Sequence, residues 1–117
     1  MKTILIVEDL DLNIDLLTQL LEEEYNLVVA KDGAQGVAMA GLHRPDLVLM
    51  DISLPVLDGC EAARRIHAAQ PALPVIGLSA NALPVDIEKA RAAGCCGYLT
   101  KPVDEDLLLK LIRECIG

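Results

Sequence analysis

The sequence predicts an α/β fold in which five parallel strands, in the order 2-1-3-4-5, are flanked by five helices. Short apolar runs alternate regularly with helical patterns along the chain, which is typical of a parallel sheet covered on both faces. The runs are apolar throughout and do not alternate with polar residues, as in strands that are buried on both sides. The length of 117 residues fits one domain, so we predict a single domain over residues 1–117.

The first half of the chain holds three of these strands and two helices. Strands are predicted over residues 3–7 (TILIV), 26–30 (NLVVA) and 46–50 (DLVLM), and helices over 11–24 and 33–42. The first helix is predicted to place one apolar stripe inward, made of Leu12, Leu16, Leu17, Leu20 and Leu21.

The second half continues the same alternation after a loop that contains Pro55. Its predicted elements are a helix over 58–69, a strand over 74–78, a helix over 84–93, a strand over 97–100 and a helix over 104–116. Asp104 is a candidate N-cap for the last helix. The inward residues predicted for that helix are Leu107, Leu108, Leu111, Ile112 and Cys115.

Composition excludes several classes of function. The formal charge of −8 disfavours direct contact with nucleic acid, and an aromatic content of 2% leaves little to stack on bases or flavins. The apolar runs are too short to span a membrane, and the first residues do not resemble a signal peptide. We therefore predict a cytoplasmic protein that makes no direct contact with nucleic acid or membrane.

The four cysteines do not form a metal-binding pattern. They lack Cys-x-x-Cys spacing, and His43 and His67 do not stand at ligand spacing from any of them. We predict that they act as small buried or half-buried apolar residues, with redox sensitivity of the adjacent pair left open: Cys60, Cys95, Cys96 and Cys115.

Polar residues follow four of the predicted strands where they end. Glu8 and Asp9 follow the first strand, Asp51 the third, Ser79 the fourth and Lys101 the fifth. Each alone is an ordinary turn or helix-cap residue. In the predicted strand order, however, the first and third strands are neighbours, so three carboxylates converge and need a compensating cation. Mg²⁺ is the natural candidate, with Lys101 as a second positive charge.

The segments around these residues resemble a known family. Four blocks match it in order and spacing: ILIVED at 4–9, LVLMDISLPVLDG at 47–59, PVIGLSANA at 74–82 and GYLTKP at 97–102. Over its whole length the chain resembles the receiver domain of two-component response regulators, which has a flavodoxin-like, CheY-like fold. The family and the strand-end argument point to the same residues.

The resemblance implies roles for the acidic residues. Asp51 is similar to the family's phosphoacceptor, which takes a phosphoryl group from a phosphohistidine or a small phosphodonor. Asp9 and Asp51 would bind Mg²⁺ directly, and Glu8 directly or through water. The main-chain carbonyl of Ser53 resembles the family's further protein ligand.

The resemblance also implies a switch. Lys101 would pair with the phosphoryl group, and the Lys101–Pro102 bond is a candidate cis peptide. Ser79 would move toward the phosphoryl group, and Tyr98 matches the family's switch aromatic. The expected outcome is a population shift that alters the surface of the fourth helix, fifth strand and fifth helix. Ser53 and Asn81 match positions that tune the phosphoryl lifetime.

The implied partners are a histidine kinase or a histidine phosphotransfer protein, and a downstream protein target. The segments around Asn13 and Asn81 are similar to receivers of hybrid kinases and stand-alone phosphorelay receivers. Docking candidates at the start of the first helix are Leu10, Asp11, Asn13 and Ile14. A homodimer through the fourth helix, fifth strand and fifth helix is also open, with charges from Lys89, Arg91, Lys110 and Arg113.

Two alternatives differ in chemistry. The main alternative is a non-phosphorylated receiver that acts only as an interaction module. Such modules usually lose Asp51, Lys101 or the acidic pair Glu8 and Asp9, and this chain retains all of them. A dehalogenase-type phosphatase needs a second Asp two residues after its nucleophile, where this chain has Ser53. We therefore expect no enzyme activity beyond self-phosphorylation and dephosphorylation. Whether the chain is a complete single-domain receiver or part of a longer protein is left open.

Overall fold

The computed structural model describes residues 1–54, 57–80 and 83–116. The elements alternate along the chain: β1 (Thr3–Val7), α1 (Asp11–Leu21), β2 (Asn26–Ala30), α2 (Gly33–His43), β3 (Leu47–Asp51), α3 (Gly59–Ala69), β4 (Val75–Ser79), α4 (Pro84–Ala92), β5 (Gly97–Thr100) and α5 (Glu105–Ile116). The five strands form one parallel sheet in the order β2-β1-β3-β4-β5, which confirms the predicted fold class. Within the described ranges, every helix is too short or too polar to cross a bilayer.

The strand register brings the predicted polar residues to one edge of the sheet. Val7 at the end of β1 pairs with Met50, so Glu8 lies beside Asp51, the last residue of β3. On the next strand, Asp51 pairs with Leu78, and Ser79 pairs with Thr100. The carboxyl ends of β1, β3, β4 and β5 therefore meet along a single rim, where open α/β sheets bind their ligands.

The sheet separates two aliphatic cores. Alternate strand residues such as Val7 and Met50 pack toward α2, α3 and α4, whereas Ile4 and Leu49 pack toward α1 and α5. The two tyrosines lie on opposite faces of the sheet. Tyr25 is buried in the core on the side of α1 and α5, and Tyr98 is half-buried against the core on the side of α2, α3 and α4. Burial of aliphatic side chains on both faces is the main force that holds the rim in place.

The apolar stripes predicted to face inward on α1 and α5 include residues that the structure leaves exposed. Leu17 and Leu21 are buried on α1, but Leu12 is 78% exposed and Leu16 is also exposed. The reason is helical geometry, since Leu12 lies about half a turn around the axis from Leu21. On α5 the same holds for Leu107, which is exposed while the next residue is buried. The first helix also ends at Leu21, three residues earlier than predicted.

Gly59 begins α3 directly against the rim, and this contact yields a stability prediction. A Cβ atom there would lie 2.1 Å from the carbonyl oxygen of Asp51. Gly59→Ala is therefore expected to lower the free energy of unfolding by about 2 kcal/mol, because backbone atoms must move to accept the methyl group. Urea denaturation measures the change.

The matched control is Gly41→Ala, in the exposed part of α2. A Cβ atom at Gly41 meets nothing within 4 Å. That variant is expected to gain up to about 1 kcal/mol, because alanine favours a helix over glycine. Equal shifts of the two urea midpoints would contradict the steric explanation.

Candidate functional site

Three acidic side chains converge at the rim of the sheet. One carboxylate oxygen from each of Glu8, Asp9 and Asp51 lies within 4.8 Å of the others. Glu8 is fully buried, Asp51 is only 4% exposed and Asp9 is half-buried. The pairing of β1 with β3 creates this cluster, since Glu8 and Asp9 follow β1 directly and Asp51 ends β3.

Lys101 reaches into the cluster from the end of β5. Its Nζ lies 2.6 Å from Oε1 of Glu8 and 3.2 Å from Oδ2 of Asp51. Its backbone N–H donates to the carbonyl of Ser79 at 2.8 Å, and the bond from Lys101 to Pro102 is cis. When all four groups are ionised, three negative charges face one positive charge, and two negative charges remain uncompensated.

Backbone donors hold two of the carboxylates in place. The N–H of Ser53 donates to Oδ1 of Asp51 at 2.9 Å, so each oxygen of Asp51 has a donor. The N–H of Asp9 donates to Oε2 of Glu8 at 3.0 Å, while Oε1 accepts from Lys101. The side chain of Ser53 is exposed beside the site. Because both oxygens of Asp51 and Glu8 are oriented, the site is arranged before any ligand arrives.

The surroundings of Glu8 and Lys101 raise the pKa of both side chains. Burial raises the pKa of Glu8, and the neighbouring carboxyl of Asp51 raises it further, against the opposing effect of Lys101. For Lys101, burial disfavours the charged form, but the hydrogen bond to Glu8 and the charge of Asp51 outweigh it and raise its pKa. The ammonium of Lys101 therefore stays charged at neutral pH and holds the two carboxyl groups together.

The donor set fits a hard divalent cation. Three carboxylates within 4.8 Å supply the oxygen ligands that Mg²⁺ prefers, and the two uncompensated charges match its valence. Mg²⁺ usually uses one or two protein carboxylates and keeps several waters. Asp9 and Asp51 are suited to hold it directly. Glu8 is fully buried and holds Lys101 at 2.6 Å, closer than the 3.2 Å between Lys101 and Asp51, so Glu8 is better suited to act through water.

The two residues predicted to switch lie on the adjoining strands. Ser79 ends β4 and is buried, with its carbonyl accepting from Lys101. Tyr98 lies in the middle of β5, opposite Gly77 in the register. A Cβ atom at Gly77 would lie 3.4 Å from the ring of Tyr98, so the glycine leaves room for the ring. Asn81, predicted to tune the phosphoryl lifetime, lies outside the described residues.

The predicted docking residues lie around the start of α1. Leu10 is 57% exposed, and Asp11 is exposed and paired with Lys31 at 2.5 Å. Ile14 and Asn13 are half-buried, and Asn13 shares a small groove with Glu8 and Lys101.

The exposed Leu12 and Leu16 extend this apolar surface, although the sequence pattern assigned them to the core. Five leucines are too many for one narrow inward stripe on a helix of 11 residues. That excess is the signal that would have assigned some of them to the surface.

Comparisons with known proteins agree with this geometry. A sequence profile of the response regulator receiver domain matches residues 4–113. The polar-differentiation response regulator DivK of Brucella anthropi is 34% identical over 119 residues, covering 99% of this chain and 97% of DivK.

Solved structures are also similar. One is the receiver domain of a sensor histidine kinase of Pseudomonas aeruginosa PAO1, which was solved with a magnesium ion coordinated in its active-site cleft. It is 39% identical to this chain, with a TM-score of 0.92, and the match covers 99% of this chain and 98% of that one. The receiver domain of the Saccharomyces cerevisiae response regulator Ssk1, solved with the histidine phosphotransfer protein Ypd1, is 32% identical with a TM-score of 0.91, covering 98% of this chain and 88% of that one.

Proposed function

The chain belongs to the response regulator receiver domain family, and we propose that it is a signalling switch controlled by phosphorylation of Asp51. The observation that carries this proposal is the position of the Asp51 carboxylate, which is largely buried, lies within 4.8 Å of the carboxylates of Glu8 and Asp9, and lies 3.2 Å from the ammonium of Lys101. A surface aspartate has no such surroundings. We further propose that residues 1–117 form a single receiver domain that acts in the cytoplasm.

The proposed chemistry is transfer of a phosphoryl group to a carboxylate. An oxygen of Asp51 attacks the phosphorus, the bond from phosphorus to the donor's nitrogen or oxygen breaks, and an acyl phosphate forms. Lys101, whose Nζ is 3.2 Å from Asp51, would neutralise charge that develops on the phosphoryl oxygens. Mg²⁺, held by Asp9 and Asp51 with the Ser53 carbonyl as a further ligand and Glu8 through water, would supply the remaining positive charge.

The proposed readout uses Ser79 and Tyr98. Ser79 would donate its hydroxyl to the phosphoryl group, and Tyr98 would turn inward over Gly77, which carries no side chain of its own. The outcome would be an altered surface on α4, β5 and α5 that a downstream protein recognises. Ser53 and Asn81 are proposed to tune the rate at which water removes the phosphoryl group, and no other enzymatic activity is proposed.

The proposed phosphodonor is a histidine kinase or a histidine phosphotransfer protein that docks at the start of α1. The exposed Leu10, Leu12 and Leu16 support an apolar docking surface there, with Asp11, Asn13 and Ile14 at its edge. The yeast complex of Ypd1 with the receiver domain of Ssk1 provides a precedent for such a pairing.

A homodimer through α4, β5 and α5 is a further proposal. Its candidate charges are all exposed, but two of them already form ion pairs within the chain: Arg91 with Glu88 at 3.1 Å and Arg113 with Glu24 at 3.3 Å. Lys89 and Lys110 are the other two candidate charges, and both are exposed.

Dependence on a divalent cation tests the proposed function. Incubation with acetyl phosphate and Mg²⁺ is expected to add the mass of one phosphoryl group, because the cation balances the crowded acidic residues. Intact-protein mass spectrometry measures the addition. In an excess of EDTA the addition is expected to fall to background. Equal uptake with and without the chelator would argue against a metal-assisted acyl phosphate.

A further inference from the structure

Two cysteines far apart in the sequence are in contact at the edge of the sheet opposite the acidic pocket, which is the site formed by Glu8, Asp9 and Asp51. Cys96 directly precedes β5, and Cys115 lies in the last turn of α5. Their Sγ atoms are 3.5 Å apart. Cys96 is exposed and Cys115 is half-buried, so solvent reaches the pair. The sequence prediction that all the cysteines are buried or half-buried is therefore wrong for Cys96.

The backbone on both sides of this contact is anchored. The N–H of Cys96 donates to the carbonyl of Val75 at 2.9 Å, which fixes it to the edge of β4. The end of α5 is held by the ion pair between Arg113 and Glu24 and by the ammonium of Lys2 at the carbonyl of Ile116. A disulfide needs sulphur atoms about 2.05 Å apart, so closure requires an approach of roughly 1.5 Å. We expect side-chain rotation and a small shift of the helix end to bring the two sulphur atoms together.

We propose that Cys96 and Cys115 form a reversible intramolecular disulfide when the protein meets a hydroperoxide. The thiolate of Cys96 attacks the terminal oxygen of the peroxide, the O–O bond breaks, and an alcohol or water leaves. The sulphur of Cys115 then attacks the resulting sulfenic acid, the S–O bond breaks, and water leaves with the thiol proton. In sum, two thiols and one hydroperoxide give one disulfide, one alcohol (or water) and one water.

Exposure and acidity assign the order of attack. Cys96 is open to solvent, whereas burial and the contact with Cys96 raise the pKa of Cys115 to about 11 and keep it protonated. Cys95 is a poor competitor, because it is buried and burial raises its pKa to about 12. Cys60 is half-buried in the first turn of α3, and burial raises its pKa as well.

The disulfide would connect the start of β5 to the end of α5. Lys101 follows the other end of β5, so the bond leaves the acidic pocket intact. Formation of the bond requires no phosphorylation, and the proposal is therefore independent of the proposed function. Since β5 and α5 both belong to the surface that would change on phosphorylation, an oxidised protein would present a stiffer form of that surface.

The test uses the purified, reduced chain with hydrogen peroxide and no phosphodonor. Four thiols react with iodoacetamide in the denatured, reduced protein, and two are expected to become unreactive after peroxide treatment and to return with dithiothreitol. Trypsin leaves Cys95 and Cys96 in the same peptide, so variants identify the partner. Cys96→Ser and Cys115→Ser are each expected to prevent the bond, and Cys95→Ala and Cys60→Ser to retain it.

A second measurement checks the order of the steps. In Cys115→Ser the sulfenic acid at Cys96 lacks its thiol partner, so dimedone is expected to label Cys96 there and not in the native protein. Persistence of all four reactive thiols after peroxide, a bond that survives in Cys96→Ser, or a bond joining two chains on a non-reducing gel would overturn the proposal.

Discussion

Asp51→Asn is expected to abolish uptake of a phosphoryl group from acetyl phosphate. The amide that replaces the carboxylate cannot form an acyl phosphate, so intact-mass spectrometry should show only background addition. The folded state should survive, because the change removes one negative charge from a cluster that includes the buried Glu8 and the nearby Asp9. The variant is therefore expected to unfold at a urea concentration no lower than the native protein.

Asp15→Asn is the matched control for this loss. It removes the same charge from an exposed position on α1 and is expected to take up the phosphoryl group as the native protein does. Undiminished uptake by Asp51→Asn would place the acceptor elsewhere. Loss of uptake in both variants would point to a general effect of charge on the phosphodonor.

Lys101→Met is expected to cost about 3 kcal/mol of the free energy of unfolding at pH 7 in metal-free buffer. The lysine is 21% exposed in its side chain, but Glu8 is fully buried, and removing one partner of a buried pair leaves an uncompensated charge. Urea denaturation in the presence of EDTA measures the loss. Phosphoryl uptake should also fall sharply, because Asp51 loses the cation that faces it at 3.2 Å.

The deficit of this variant should depend on pH in a defined direction. Burial, followed by the effect of Asp51, already raises the pKa of Glu8 above 4.5, and removal of Lys101 eliminates an opposing effect. An acid with a raised pKa in the folded state favours folding when protonated, and that contribution is lost as the pH rises through the raised pKa. The difference from the native protein should therefore be small below about 4.5 and should grow toward neutral pH.

Lys110→Met is the control for this prediction. It removes the same charge from an exposed position on α5. It should change the free energy of unfolding by less than about 0.5 kcal/mol, both in acid and at neutral pH. A deficit of Lys101→Met that stays constant with pH would contradict the assignment to Glu8.

The fold and the positions of the site residues are accessible from the sequence for a physical reason. Strands buried on both faces are apolar throughout, so a polar residue at the end of such a run marks the rim of the sheet. Glu8, Asp51 and Lys101 stand at such ends, and parallel pairing brings them together whatever the details of packing. This argument needs only the strand order.

Other features depend on details that the pattern does not contain. The exposure of Leu12 follows from how α1 rotates against the sheet, and a run of leucines is compatible with several rotations. The contact between Cys96 and Cys115 depends on where α5 ends relative to β5. The pairing of Lys101 with Glu8 at 2.6 Å, closer than with Asp51, depends on side-chain reach. Such distances are set by tertiary packing.

The placement of the two tyrosines on opposite faces of the sheet has a spectroscopic consequence. The chain has no tryptophan, so its near-ultraviolet absorption and emission come from Tyr25 and Tyr98. Tyr25 is sealed in the interior beside α1, whereas Tyr98 borders solvent near α4. Acrylamide quenching of intrinsic fluorescence therefore reports mainly on the ring of Tyr98, and the native protein can be followed in real time without an attached dye.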